Sequence, residues 1–131
     1  LIDITPTILS TAGVTVPAFM RGRNMNDLVN GNAQHWDDEV FLQISESQCG
    51  RAIRTKEWKY SVRAQDKTGN DPSSCSYTED FLYDLKADPH EQNNLVSDPA
   101  FRDVRAKLSV RLKERMRLAG ETVPEIKPQH L

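Results

Sequence analysis

An α+β fold, a small antiparallel sheet of about four strands closed by one long C-terminal helix, follows from three observations on the sequence. Trp58, Tyr60 and Val62 alternate with Lys59, Ser61 and Arg63, the period of a strand with one buried face. Phe101, Val104, Leu108, Leu112 and Met116 recur at spacings of three and four, the stripe of an amphipathic helix. A helix-and-loop segment with neither pattern precedes both, and no internal repeat is present.

In chain order, a short helix starts near Thr5, which can cap it, with Pro6 in its first turn and Ile8 and Leu9 following. Gly13 supplies its stop and Val14 to Pro17 an extended exit. Residues 21–38 are polar and rich in Gly and Asn, a loop with one helical turn at 25–29. Val40, Leu42 and Ile44 alternate with Phe41, Gln43 and Ser45 as a first strand. Ser45 to Gly50 is a turn, Arg51 to Thr55 a second strand, and Lys56-Glu57 a tight turn into the third at Trp58. Gln65 to Thr78 is a long polar loop, and Phe81 to Leu85 a fourth strand. Asp88-Pro89-His90-Glu91 is a turn, after which Asp98 caps the long helix, 98–119, with Pro99 at its first position. Arg111, Lys113, Arg115 and Arg117 suit the negative end of its dipole, Gly120 ends it, and the rest reads as a tail. Phe41 and Leu82 are expected on a second sheet face that needs a partner outside this chain.

Composition narrows the function classes. The chain has 131 residues, 37% hydrophobic and 27% charged, which suits one globular domain with a core. A net charge of -2 leaves no basic surplus for phosphates, so no nucleic-acid partner is expected. No apolar run approaches the about 20 residues of a membrane helix, so no membrane segment is expected. The first residues, Leu1 to Pro6, have no basic region or Met, as though cut from a longer chain, so the compartment is not readable. Cys49 and Cys75 match no zinc or redox spacing; they are either one disulfide or two unrelated thiols.

Three separated blocks resemble the C-terminal region of the sulfatases of the alkaline phosphatase superfamily. Asp3-Ile4-Thr5-Pro6-Thr7-Ile8-Leu9 with Ala12-Gly13, Pro17 and Gly22-Arg23 resembles the closing helix of the catalytic domain. Arg51-Ala52-Ile53-Arg54-Thr55 with Trp58-Lys59-Tyr60 is similar to the strand pair of the C-terminal subdomain. Leu82-Tyr83-Asp84-Leu85, Asp88-Pro89, Glu91 and Asn94-Leu95 resemble the approach to its last helix. The resemblance implies a division into 1–35, the tail end of a catalytic α/β domain, and 36–131, the C-terminal subdomain. It implies a parent that hydrolyses sulfate esters with a formylglycine nucleophile and a divalent metal, calcium. The partners are then the missing N-terminal catalytic domain, a sulfated small molecule or saccharide reached through that parent, and, for the isolated fragment, a second copy through uncovered apolar surface.

The catalytic parts are not found in these residues. The family signature, Cys- or Ser-x-Pro-x-Arg, fits neither Cys49-Gly50-Arg51 nor Cys75-Ser76-Tyr77, and no serine matches it. Asp37-Asp38 follow His35-Trp36 in a polar stretch rather than an apolar strand, which makes them a solvated turn and not metal ligands. His35, His90 and His130 lack ligand spacing. Glu79, Asp80 and Asp84 are expected to pair with basic strands. Catalytic and metal residues are therefore expected to be absent from this chain. The candidate contribution to function is the turn before the second strand, with Glu46, Gln48 and Arg51 bordering the substrate cleft against the non-sulfate part of the substrate. Lys59, Arg63 and Arg54 form a basic strand face that either attracts an anionic saccharide or is simply solvated. Two alternatives stand beside this reading: a standalone binding module sharing the fold, and the C-terminal part of a related phosphatase or phosphonate monoester hydrolase.

Overall fold

The computed structural model describes residues 1–32 and 36–129. His35 and His130 lie outside the described residues. The chain divides into two compact units, Leu1–Asp37 and Asp38–Leu131.

The first unit holds two short helices, α1 (Ile4–Thr11) and α2 (Met25–Val29). The expected cap at Thr5 is not the one used. Asp3 occupies the cap position, and its carboxylate is turned away from the helix to accept the backbone N–H of Arg23 at 2.7 Å. Thr7 Oγ1 accepts the Met25 N–H at 2.9 Å, so α1 itself anchors the start of α2. Asn24 caps α2 through its side chain. Gly22 passes so close to the Ile2 carbonyl that a Cβ would stand 1.9 Å from that oxygen, which explains the glycine.

The second unit is a five-stranded sheet in the order β1-β2-β3-β4-β5, crossed by one helix. The strands are β1 (Glu39–Ile44), β2 (Gly50–Thr55), β3 (Trp58–Arg63), β4 (Ser76–Asp84) and β5 (Glu125–Lys127). The first four are antiparallel neighbours, and β5 joins β4 in parallel. Two boundaries differ from the sequence reading. β4 begins at Ser76, inside the stretch read as loop, and β5 lies in the stretch read as tail. Neither piece shows apolar alternation, because β5 is three residues long and only Ile126 meets the core.

Asp98 caps the final helix as expected, its carboxylate accepting the Ala100 N–H at 2.9 Å. Pro99–Phe101 form a 3-10 turn that runs into α3 (Arg102–Leu118). Leu108, Leu112 and Met116 are buried against Ile53, Tyr60, Val62 and Leu82 of the sheet, with Trp58, Phe101 and Val104 at the margin. Gly120, at φ 88°, closes the helix: Glu121 N–H reaches the Met116 carbonyl at 3.0 Å and Gly120 N–H the Arg117 carbonyl at 3.0 Å.

The face assignment of β1 and β4 needs correction. Phe41, Ile53, Tyr60 and Leu82 are in register across four strands, so Phe41 and Leu82 both point to the helix side. Val40 and Leu42 take the other face and are exposed, together with Phe81, which stacks on Tyr83. The apolar residues on both faces of β1 made its alternation ambiguous, and pairing with β2 settles it.

A bulge between β3 and β4 has consequences for charge. Ser61 pairs with Phe81 and Val62 with Glu79, leaving Asp80 as the extra residue. Glu79 enters the core side, where it accepts the Tyr60 hydroxyl at 3.1 Å and pairs with Arg105 of α3 at 3.2 Å. Asp80 goes instead towards Arg63. The Asn94 side chain completes the edge of β4 beyond β5, accepting the Leu82 and Val96 N–H groups and donating to the Asp80 carbonyl.

Leu112, fully buried between α3 and the sheet, sets the first expectation. Leu112→Ala is expected to lower unfolding stability by about 3 kcal/mol, read as a shifted urea midpoint at unchanged slope.

Candidate functional site

The turn between β1 and β2, residues 45–49, is a surface feature on a rigid base. Glu46 is exposed, and no hydrogen bond or ion pair engages its carboxylate among the described residues. Its carbonyl is pressed by the long loop: a Cβ on Gly69 would stand 2.1 Å from the Glu46 oxygen. Only a glycine lets the loop approach that closely. Gln48 is half-buried, and its Oε1 accepts from Arg63 Nη1 at 3.5 Å. Cys49 is buried, its sulfur 3.7 Å from the Tyr77 hydroxyl. Tyr77 in turn accepts the Ser74 N–H at 3.0 Å, so the same ring fixes the far end of the loop.

Arg51 lies beneath the turn and is 1% exposed. Its Nε donates to both Glu121 oxygens at 2.8 and 3.0 Å, Nη1 to the Gly50 carbonyl at 2.7 Å, and Nη2 to the Pro72 carbonyl at 2.6 Å. Glu121 also accepts from Gln43 of β1. The guanidinium thus joins the start of β2, the long loop and the chain after α3. Of the three residues expected at the rim, Glu46 and Gln48 reach the surface of the turn, and Arg51 supports it from inside.

Asp38 pairs with Lys56 at 2.8 Å and Asp37 lies 3.6 Å from Arg23, both solvent-exposed pairs. His90 is exposed in its turn. Asp84 accepts the Lys86 and Ala87 N–H groups and shapes the turn after β4. Arg54 and Lys59 both bind Glu91, whose φ of 55° is the left-handed conformation that brings its carboxylate onto the sheet. This pairing, with the Lys59 hydrogen bond foremost, holds the Glu91 carboxyl below the usual range. Both cysteines are free thiols, Cys49 buried and Cys75 exposed.

Among the described residues, no group of three or more His, Cys, Asp or Glu side chains could hold a metal ion. Neither thiol stands in a Cys-x-Pro-x-Arg context. The described residues therefore do not fit calcium or a formylglycine. Nor is any described helix long and apolar enough to cross a membrane.

Sequence reasoning missed two supports of this site, Gly69 and Glu121, and also a separate depression of about 270 Å³ lined by Gln65, Asp66, Ser76, Thr78 and Lys127. The signal for Glu121 was its place directly after the helix-ending Gly120. Lys127 reaches the depression only because the tail forms β5, which no local pattern announced.

Two expectations follow. Arg51→Ala is expected to cost about 3 kcal/mol, because it strands Glu121 and two carbonyls; Arg51→Lys is expected to restore part of it, measured by urea unfolding. Burial, foremost, pushes the Tyr77 phenol up to about 12. The unfolded chain then ionises first, so this stability is complete below about pH 10 and is lost as pH rises through the folded value. Tyr77→Phe is expected to flatten the alkaline limb of a stability-against-pH curve.

The comparisons with known proteins find mostly sulfatases, with a phosphonate monoester hydrolase of Agrobacterium radiobacter among the similar structures at a TM-score of 0.64 and 21% identity, covering 89% of this chain and 24% of that one. The family model described as N-sulphoglucosamine sulphohydrolase, C-terminal, matches residues 1–118. An ulvan-active sulfatase of Formosa agariphila is 26% identical over 126 residues, covering 91% of this chain and 22% of that protein. An N-acetylglucosamine-6-O-sulfatase of Bacteroides thetaiotaomicron is 27% identical over 130 residues, covering 96% of this chain and 21% of that protein. A solved structure in complex with its substrate D-glucosamine-2-N,6-O-disulfate superposes with a TM-score of 0.72 at 23% identity, covering 93% of this chain and 24% of that one. The chain thus spans about a fifth of the curated relatives it matches. With its sheet, its long helix and the family model all in agreement over most of its length, the chain belongs to the C-terminal domain family of the sulfatases of the alkaline phosphatase superfamily.

Proposed function

We propose that this chain is the C-terminal part of an enzyme that hydrolyses sulfate esters of saccharides, and that its share of the work is to complete the fold and border the substrate cleft. The observation that carries the reading is the family match over residues 1–118, with relatives four to five times longer named as saccharide sulfatases. Nucleophile and metal, a formylglycine and calcium, come from the remainder of that protein. Residues 1–35 then close its catalytic domain. The exposed Ile4, Ile8, Val14 and Phe19 support this, because such side chains belong to a core larger than two short helices can build. Residues 36–131 form the subdomain.

Within the subdomain, Glu46 and Gln48 contact the non-sulfate part of the substrate, and Arg51 keeps their turn in place. A site on a loop needs support to hold hydrogen-bonding groups within tenths of an ångström. The pinch at Gly69 and the Arg51 clamp supply it here.

The test uses the complete gene product that carries this chain. Replacing Glu46 and Gln48 together by Ala is expected to lower kcat/KM about 10-fold on a sulfated saccharide, about 1.4 kcal/mol, with an aryl sulfate unaffected. Equal rates for variant and wild type on the saccharide would remove the turn from the rim. Faster turnover of a phosphonate monoester than of any sulfate ester would replace the sulfatase reading by the phosphonate hydrolase one. Aryl sulfate turnover by the purified 131-residue chain above background would overturn its assignment as non-catalytic.

A further inference from the structure

Three cations, Arg54, Lys59 and Arg63, sit on the sheet face opposite α3, and they are not equivalent. Arg54 and Lys59 share Glu91 in close ion pairs. Arg63 has no such partner. Its Nη2 is 3.9 Å from Asp80 Oδ1, beyond hydrogen-bond range, and its Nη1 makes only a long 3.5 Å bond to Gln48. Its Nε is buried without a hydrogen-bond partner among the described residues, as are Asp80 Oδ2 and Ser61 Oγ beside it. Arg63 is nevertheless 41% exposed as a side chain, so the exposure falls on the parts other than Nε.

The arrangement is that of a cation held in place but only loosely hydrogen-bonded. Asp80 is buried by the bulge and lies to one side of the guanidinium, while Gln48 ties the same group to the turn at 45–49. A guanidinium in this state retains donors for a planar or tetrahedral oxyanion, which it binds through two parallel N–H bonds. A lysine in the same place would offer a point charge without the fork.

We propose that Arg63 is a specificity-determining residue that binds a second oxyanion of the saccharide, a carboxylate or a further sulfate, distinct from the ester being cleaved. This rests on the rim reading of the neighbouring turn, since Gln48 is common to both. The two ligand sources share the chemistry of an oxyanion and differ in shape. Arg54 and Lys59, whose donors are held in close hydrogen bonds to Glu91, do not take part.

The experiment uses the complete gene product and the variants Arg63→Gln, Arg63→Lys and Lys59→Gln. Glucosamine 6-sulfate is compared with glucosamine 2-N,6-O-disulfate, and a 2-O-sulfated hexuronate with the corresponding neutral 2-O-sulfated hexose. Arg63→Gln is expected to raise KM at least about 10-fold, the loss of one good charge-assisted contact, on the doubly anionic member of a pair only, with kcat little changed. Arg63→Lys should recover part of the loss, and Lys59→Gln should show none. A loss confined to the disulfate assigns a second sulfate, and one confined to the hexuronate a carboxylate. Equal loss on both members of each pair, or no loss, overturns the proposal while leaving the rim reading intact. If the gene product hydrolyses no sulfate ester, the sulfatase reading fails, and equilibrium dialysis of glucosamine 2-N,6-O-disulfate decides the arginine separately. Binding about 10-fold weaker in Arg63→Gln supports the anion site, and equal binding overturns it.

Discussion

The buried guanidinium of Arg51 is the constraint on which the arrangement of this subdomain depends. Taking a cation out of water is unfavourable by several kcal/mol unless its donors are met. Here they are met by groups from three stretches of chain: the carbonyls of Gly50 and Pro72 and the carboxylate of Glu121. The requirement works in both directions. The long loop must return to the sheet at Pro72, and the chain must turn back after α3 to deliver Glu121. Gly120 makes that turn possible through its left-handed conformation. The Tyr77 ring, with its centroid 5.9 Å from the guanidinium, adds a cation–π contact and joins the clamp to Cys49 and Ser74.

The two faces of the sheet obey different physics because of where the charges end up. On the α3 side, Glu79 is buried but fully engaged by Tyr60 and Arg105, so it adds specificity to an otherwise apolar interface. On the other side the polar groups are only partly matched, with Asp80 and Ser61 presenting buried atoms without partners among the described residues. The bulge separates the two acidic neighbours onto these different sides. One extra residue in β4 therefore converts an acidic pair that would repel itself into one core network and one half-satisfied surface cluster. Native structures keep few unmatched buried polar groups, and each of them calls for a further partner such as a water or an ion.

Much of this fold was legible because its main elements bury apolar side chains at regular intervals. The stripe on α3 and the alternation in β3 each located a core face directly, and Asp98-Pro99 marked the helix start. What failed was set by tertiary pairing. β1 carries apolar residues on both faces, so its inward side was decided only by Phe41 meeting Ile53. β5 exists because it can hydrogen-bond to Ser76–Thr78, which leaves no trace in its own three residues. At the candidate site the turn was visible as a polar stretch between two strands, but Arg51 looked like one more surface cation. The strand is too short for its period to show that Arg51 shares the core face with Ile53 and is buried there with its own partners.

The resemblance blocks gain a physical meaning once their contacts are known. Asn94 is the side chain that closes the open edge of β4, Glu91 the carboxylate that bridges Arg54 and Lys59, and Thr55 the hydroxyl that accepts the Glu57 and Trp58 N–H groups in the β2–β3 turn. These residues hold the subdomain together, and none of them offers a free chemical group. On the turn itself Glu46 makes no hydrogen bond or ion pair among the described residues, and beside it Arg63 is held only by a long bond to Gln48 and a loose pair with Asp80. A supported turn is suited to recognition because its backbone is already held in place, so a partner that binds its exposed groups need not break a contact the fold makes.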